Sequence, residues 1–96
     1  MESRTFDKVD AALWQRLQAT GQQRHGTQFE ETQDNCGTAT TPTPIGSVVL
    51  GYSFDPDGCT ITYTIIRKPM LAASGLIWNG IAATIEGCRG SAADDA

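Results

Sequence analysis

The chain has few cations and no long apolar run. Its 7 Lys and Arg residues are set against 11 Asp and Glu residues, which gives a formal net charge of −4. The cations stand alone apart from Arg67-Lys68, so no basic surface neutralises a phosphate backbone and we expect no nucleic-acid partner. The longest uncharged apolar stretch, residues 70–85, is shorter than the roughly 20 residues of a membrane helix. We therefore expect no membrane span.

The beginning of the chain has no apolar segment of the kind that a secretory signal requires. The first ten residues read MESRTFDKVD, and a signal peptide needs an apolar core after its basic start. We therefore expect a cytoplasmic location by default. Residues 1–96 are short enough for one small globular domain, and we expect a monomer or a weak homodimer.

Catalytic motifs are missing from the sequence. His25 is the single histidine, and its neighbours Arg24 and Gly26 include no nucleophile that it could activate. The sequence contains no Gly-x-Ser-x-Gly elbow, phosphate-binding loop or dinucleotide fingerprint. We therefore expect no cofactor and no enzymatic activity.

The three cysteines lack the short Cys-x-x-Cys spacing of a zinc site. A strand that starts at Cys59 and a helix that returns to Cys88 have similar lengths, about 27 and 21 Å at the usual rises per residue. Their far ends should therefore meet, which makes Cys59 and Cys88 a candidate disulfide and leaves Cys36 unpaired. In a cytosolic protein the reduced state is the default.

The N-terminal segment predicts a helix over residues 5–20. Ser3 or Thr5 is the candidate N-cap, and Gly21 is the candidate stop because glycine takes the left-handed cap conformation easily. The helical spacing relates four apolar residues, which are Phe6, Val9, Leu13 and Leu17.

The middle of the chain predicts strands on either side of a loop. Residues 26–33 suit a short edge strand around Phe29. Residues 34–47 are rich in Thr, Pro and Gly, and this composition predicts a mobile Thr/Pro loop. If the source is a pathogen, residues 37–46 of this loop are a candidate antibody epitope.

Two alternating runs, residues 48–54 and 59–66, predict a hairpin joined by the sequence Asp-Pro-Asp-Gly. Asp55 and Asp57 could also ligate calcium, but further oxygen ligands at the required spacing are missing. The turn roles of Asp, Pro and Gly explain the segment without an ion. Pairing Phe54 with Cys59 would place all the large apolar residues of both strands on one face.

The last third of the chain predicts a helix over residues 74–88. Ile77, Ile81, Ile85 and Cys88 fall on one stripe, and Ser74 is the candidate N-cap. Gly87 or Gly90 is the candidate end, and the tail, residues 90–96, should fray. These elements predict an α+β fold. Its two layers have the order α-β-β-β-α, with a three-stranded antiparallel meander and two helices packed on one face.

The second face of the predicted sheet is neither charged nor strongly apolar. Threonine favours strands for local reasons, which explains the face without a function. The alternative is a contact surface for a protein partner. The candidate contact residues are Val49, Ser53, Thr60, Thr62 and Thr64.

The run LGYSFDPDGCTITYTIIRKPMLAASGLIWNGIAATIEGCR resembles the core of short uncharacterised proteins of Gram-negative, Burkholderia-like bacteria. The resemblance implies a bacterial source and brings no catalytic motif. Two classes of function therefore stay open. The first is a protein-interaction module that uses the threonine face or the loop, and the alternative is a protein that binds a small apolar ligand between helices and sheet.

Overall fold

The sheet of this protein has five strands and is antiparallel throughout. The computed structural model describes the backbone of residues 2–95 and the side chains of residues 2–89. The strand order is β1-β5-β4-β3-β2, so the α+β class is confirmed and the three-stranded meander is wrong. The elements in chain order are β1 (Ser3–Phe6), α1 (Ala11–His25), β2 (Gln28–Gln33), β3 (Cys36–Thr43), β4 (Gly46–Asp55), β5 (Thr60–Arg67) and α2 (Ser74–Asp95).

The N-terminal segment forms a strand before its helix, which corrects the prediction of a helix over residues 5–20. Strand β1 pairs with β5, and the Val9 amide donates to the carbonyl of Cys59 at 2.8 Å. Asp10 is the N-cap, because its carboxylate accepts a hydrogen bond from the Leu13 amide at 2.8 Å. Helix α1 therefore starts six residues later than residue 5, at Ala11.

The end of α1 lies beyond the predicted stop. Gly21 is buried within the helix, where an added Cβ would lie 3.2 Å from the ring of Phe29. Gly26 is the C-cap at a φ of 66°, a left-handed conformation that favours glycine. Gly21 is thus needed for close packing rather than for termination.

Residues 34–47 do not form the predicted loop, because Cys36–Thr43 is strand β3. β3 pairs with β2 on one side and with β4 on the other. Proline lacks the amide hydrogen that a ladder needs. Pro42 is tolerated here because the paired part of β2 begins at Gln28, opposite Thr40. Pro42 therefore lies past the end of β2.

The predicted hairpin is confirmed as strands β4 and β5, but its register is wrong by two residues. Phe54 faces Ile61 rather than Cys59, and Tyr52 faces Tyr63. Asp55 accepts a hydrogen bond from the Asp57 amide at 3.1 Å, which confirms that this segment is a turn. Because a shift of two residues keeps every side chain on the same face, the predicted apolar face survives.

One core joins both helices to the inner face of the sheet. Trp14 of α1 is 6% exposed, and Trp78 of α2 is 4% exposed with the guanidinium of Arg4 5.3 Å from its ring centroid. The other buried apolar residues of this core are Val9, Leu13, Leu17, Ala39, Val48, Leu50, Tyr52, Phe54, Ile61, Tyr63, Ile65, Ile85 and Cys88.

Helix α2 continues well past the predicted end. It begins at Ser74 as predicted and runs to Asp95, so neither Gly87 nor Gly90 terminates it. The backbone of the predicted frayed tail is thus helical through Asp95. The side chains of residues 90–96 and the backbone of Ala96 lie outside the described residues.

Two glycines should respond oppositely to substitution by alanine. A Cβ at position 37 would overlap the carbonyl oxygen of Glu30 and lie 2.8 Å from the Cα of Glu31. We expect Gly37→Ala to lower the free energy of unfolding by more than about 2 kcal/mol, because backbone cannot yield cheaply. At Gly87 an added Cβ would meet no atom within 4 Å. We therefore expect Gly87→Ala to raise the free energy of unfolding by about 0.5–1 kcal/mol. Urea unfolding measures both, and a neutral Gly37→Ala would contradict the β2–β3 register.

Candidate functional site

A cavity of about 350 Å³ lies between the inner face of the sheet and the two helices. The sheet contributes Phe29, Ala39 and Leu50 to its wall, and the helices contribute Leu17 and Ile81 among others. Most of the wall is carbon. The cavity is therefore an apolar space in a protein whose surface carries a net negative charge.

The helix stripe predicted for residues 77–88 forms one wall of this cavity. Ile77, Ile81 and Ile85 all line it, because residues four apart lie on the same side of a helix. Ile85 is 2% exposed, whereas Ile77 and Ile81 are only half-buried. The half-buried isoleucines thus face the open part of the cavity.

Small residues leave the space open. Ala39 of β3 and Gly80 of α2 line the cavity, and a Cβ at Gly80 would meet no atom within 4 Å, so larger side chains at these two positions would fill part of the space. Ala39 is 3% exposed and lies on the inner face, opposite Leu50 of β4. In the sequence, Ala39 stands between threonines, and this alternation is typical of a strand with one buried face. The interpretation of residues 34–47 as a loop concealed it.

The polar groups at the cavity wall are few, and two of them bond to each other. The hydroxyls of Thr27 and Thr41 lie 2.6 Å apart, and both residues line the cavity. Tyr63 also lines it, and burial raises the pKa of the Tyr63 hydroxyl well above its ordinary value, with further contributions from Cys88 and Tyr52. Thr43, Thr84 and His25 also line the cavity, and the hydroxyls of Thr43 and Thr84 donate to the backbone carbonyls of Gly46 and Gly80. A ligand would therefore meet hydroxyl groups and no buried charge among the described residues.

The mouth of the cavity lies at the end of the molecule where α1 stops and α2 starts. His25 and Leu76 both line the cavity, and both are exposed. Gly80 of α2 is a further exposed lining residue, and Thr43, at the end of β3, lines the cavity and is half-buried. His25 thus sits at the rim of an apolar opening rather than beside a nucleophile. Among the described residues no three His, Cys, Asp or Glu side chains gather as a metal site would require.

The predicted contact face is partly engaged by β1. The Thr62 hydroxyl lies 2.8 Å from that of Thr5, and the Thr64 hydroxyl lies 2.7 Å from that of Ser3. Ser53 is exposed, with its hydroxyl 3.4 Å from the Cys36 thiol. Val49 and Thr60 are half-buried on the same face. Three of the five candidate contact residues therefore bond within the chain, and two of these bonds go to β1, a strand that the sequence interpretation missed.

The three cysteines are free thiols in this structure, so the bond predicted between Cys59 and Cys88 is not formed. The Cys59 sulfur lies 3.7 Å from the Pro56 carbonyl oxygen, and the Cys88 sulfur lies 3.4 Å from the Thr20 hydroxyl. Each thiol thus has a different neighbour. The Cys59 backbone is left-handed with a φ of 54°, which orients its side chain within the turn.

Comparison with protein-family models, curated proteins and solved structures gave no match for this chain. Among residues 2–95, neither helix combines the length and the apolarity that a membrane span requires. The geometry of the site is therefore the basis for any functional conclusion.

The raised pKa of Tyr63 predicts a loss of stability in alkali. The stability that neutral Tyr63 contributes is complete below pH ~10, the pKa of an unfolded tyrosine. As the pH rises above that value, the unfolded state ionises first and gains stability. Above this pH the unfolding free energy of the wild type should fall more steeply than that of Tyr63→Phe. We expect the two slopes to differ by up to about 1.4 kcal/mol per pH unit. Urea unfolding on both sides of pH ~10 measures it, and equal slopes for both proteins would contradict a buried hydroxyl.

Proposed function

We propose that this protein binds a small, uncharged and largely apolar molecule in the cavity between the sheet and the helices. The observation that carries the proposal is the apolar, open space of about 350 Å³. Ligand pockets usually have volumes of about 300–1,000 Å³, with apolar walls and a few polar groups. The cavity of this chain has both properties.

The energetic cost of an empty cavity supports a binding role. A void inside a core costs about 24 cal/mol per Å³, so a closed void of this size would cost on the order of 8 kcal/mol. A domain's whole stability is about 5–15 kcal/mol. This chain reduces the cost by leaving the cavity open at His25 and Leu76. An apolar ligand would regain the missing contacts.

The wall defines the chemistry of the ligand. Thr27 and Thr41 are already bonded to each other, while the Tyr63 hydroxyl is kept neutral by its raised pKa. A carboxylate or an ammonium group inside would find no partner of opposite charge among the described lining residues, and burying an unpaired charge is costly. The proposed ligand is therefore neutral, with one or two hydrogen-bonding groups at most.

A protein-interaction module is the second candidate. The residues that support it are Val49, Ser53, Thr60, Thr62 and Thr64, which form a face with small side chains and little charge. A partner would contact Ser53 most directly because it is the exposed member. We favour the cavity because the hydroxyls of Thr62 and Thr64 already bond to β1.

We propose a bacterial source, a cytoplasmic location, a monomer or weak homodimer, and binding without catalysis. The last of these is supported by the position of His25, which is exposed at the rim of the cavity. An epitope at residues 37–46 would now be a β-strand and turn, because β3 ends at Thr43 and β4 begins at Gly46.

Titration with the neutral apolar dye N-phenyl-1-naphthylamine tests the proposed function. The dye should gain fluorescence saturably with the wild-type protein. Ala39→Leu should weaken binding about tenfold or more, because its added carbons occupy the space that the dye needs. A saturating ligand should also raise the melting temperature, by an amount equivalent to about 2.7 kcal/mol at 100 times its Kd.

The matched control is Ala83→Leu, which makes the same substitution at an exposed position of α2 outside the cavity wall. This variant should bind the dye as the wild type does. Ala39→Leu should keep or raise its melting temperature, since it fills a void, so a loss of binding cannot be ascribed to unfolding. Equal dye binding by both variants, or none by the wild type, would refute the proposal.

A further inference from the structure

The turn between β5 and α2 presents two large apolar side chains to solvent. Met70 is 98% exposed and Leu71 is 84% exposed. The turn is ordered around them, because the Ala72 amide donates to the Pro69 carbonyl at 3.0 Å and the Lys68 ammonium donates to the Ala72 carbonyl at 2.8 Å. Turns usually carry Gly, Asn, Asp or Ser at such positions. Met and Leu at the tip therefore need another explanation.

Further exposed apolar residues belong to the same end of the molecule. Ile45, in the turn between β3 and β4, is 53% exposed, and the next residue, Gly46, would place a Cβ 3.1 Å from the Pro69 ring. Leu76, at the start of α2, is 70% exposed and lines the cavity. We define Ile45, Met70, Leu71 and Leu76 as the apolar tip.

Positive charge surrounds the apolar tip. Arg67 ends β5, and Lys68 follows it in the turn. Arg24 lies in the last turn of α1, and Gly26 at the end of that helix would place a Cβ 3.6 Å from the Pro42 ring, near the same end of the sheet. Glu2 is an acidic residue beside β5, because its carbonyl accepts a hydrogen bond from the Ile65 amide.

Negative charge gathers at the opposite end. Asp55 is the last residue of β4, and Asp57 lies in the turn that follows it. Asp34 lies beside them, because the next residue, Asn35, accepts a hydrogen bond from the Phe54 amide at 2.8 Å. Asp7 and Asp10 flank Val9, whose amide bonds to Cys59. Three of the seven cations, Arg24, Arg67 and Lys68, thus lie near the apolar tip, whereas these acidic residues lie at the opposite end.

We propose that the apolar tip and its flanking cations dock this protein on an anionic lipid bilayer. Exposed apolar side chains enter the boundary between headgroups and acyl chains, and neighbouring Lys and Arg residues are attracted to anionic lipids. The acidic end would face away from the negatively charged surface, which fixes the orientation. Docking on another protein would not require cations at the apolar tip and acidic residues at the opposite end.

Docking in this orientation would place the mouth of the cavity against the bilayer. His25 and Leu76 are the exposed lining residues at that end, and Leu76 is also part of the tip. An apolar ligand could then pass between bilayer and cavity without crossing water. This route for the ligand rests on the proposed function, whereas docking itself does not.

Vesicle flotation tests the docking. The wild-type protein should float with vesicles of phosphatidylcholine and phosphatidylglycerol in equal amounts, and much less with pure phosphatidylcholine. Met70→Ser with Leu71→Ser should lower the partition coefficient about 30-fold or more. Arg24→Gln with Arg67→Gln should lower it about tenfold, and high salt should have the same effect.

Lys8→Gln is the control, because it removes an exposed cation at the acidic end and should leave flotation unchanged. All of these positions are exposed, and a melting curve of each variant confirms folding. Absence of flotation with the anionic vesicles, equal flotation of all variants, or capture of a protein at the tip without vesicle binding would overturn the proposal. Dye titration without vesicles distinguishes ligand binding from membrane docking. If the wild-type protein does not bind the dye, the ligand site is refuted and the docking proposal is unaffected.

Discussion

The packing of Trp14 against the sheet fixes how α1 lies on the fold. Its ring centroid lies 5.1 Å from that of Tyr52, 5.9 Å from that of Phe54, 6.0 Å from that of Phe29 and 6.4 Å from that of Tyr63. A single side chain thus contacts β2, β4 and β5 at once. Aromatic pairs of this geometry contribute about 0.5–1.5 kcal/mol each beyond the area that they bury. This cluster fills one part of the inner face and sets the height of α1 above it.

The remaining part of the inner face is lined by small residues, and the cavity lies there. Ala39 leaves room on the sheet and Gly80 leaves room on α2, while the isoleucine stripe of α2 lines the side facing the sheet. The cavity opens toward the end of the chain that carries Arg67 and Lys68 and not toward the acidic turns. The cavity thus lies where both helices share one core with the sheet.

Long periodic segments of the sequence predicted the fold well, and short ones did not. The alternation that ends at Phe54 and the stripe through Ile81 each have enough repeats to define a face. β1 has only four residues, and its pairing depends on the distant β5, which no local pattern reveals. The threonines and Pro42 of β3 give it a composition that is typical of a loop. Its hydrogen bonds come from pairing with β2 on one side and β4 on the other, which the residues of β3 alone do not predict. The cavity was foreseen only as a general space between layers, since its location depends on Ala39 within that strand.

The measurement that tests the account most directly is NMR with methyl-labelled protein and N-phenyl-1-naphthylamine. The account predicts intermolecular nuclear Overhauser effects from the dye to the methyl groups of Ile77, Ile81 and Leu50, all of which line the cavity. It also predicts none to the methyl groups of Thr60 and Thr62 on the outer face. Contacts confined to those threonines, or the absence of any contact to the cavity methyl groups at saturating dye, would contradict it.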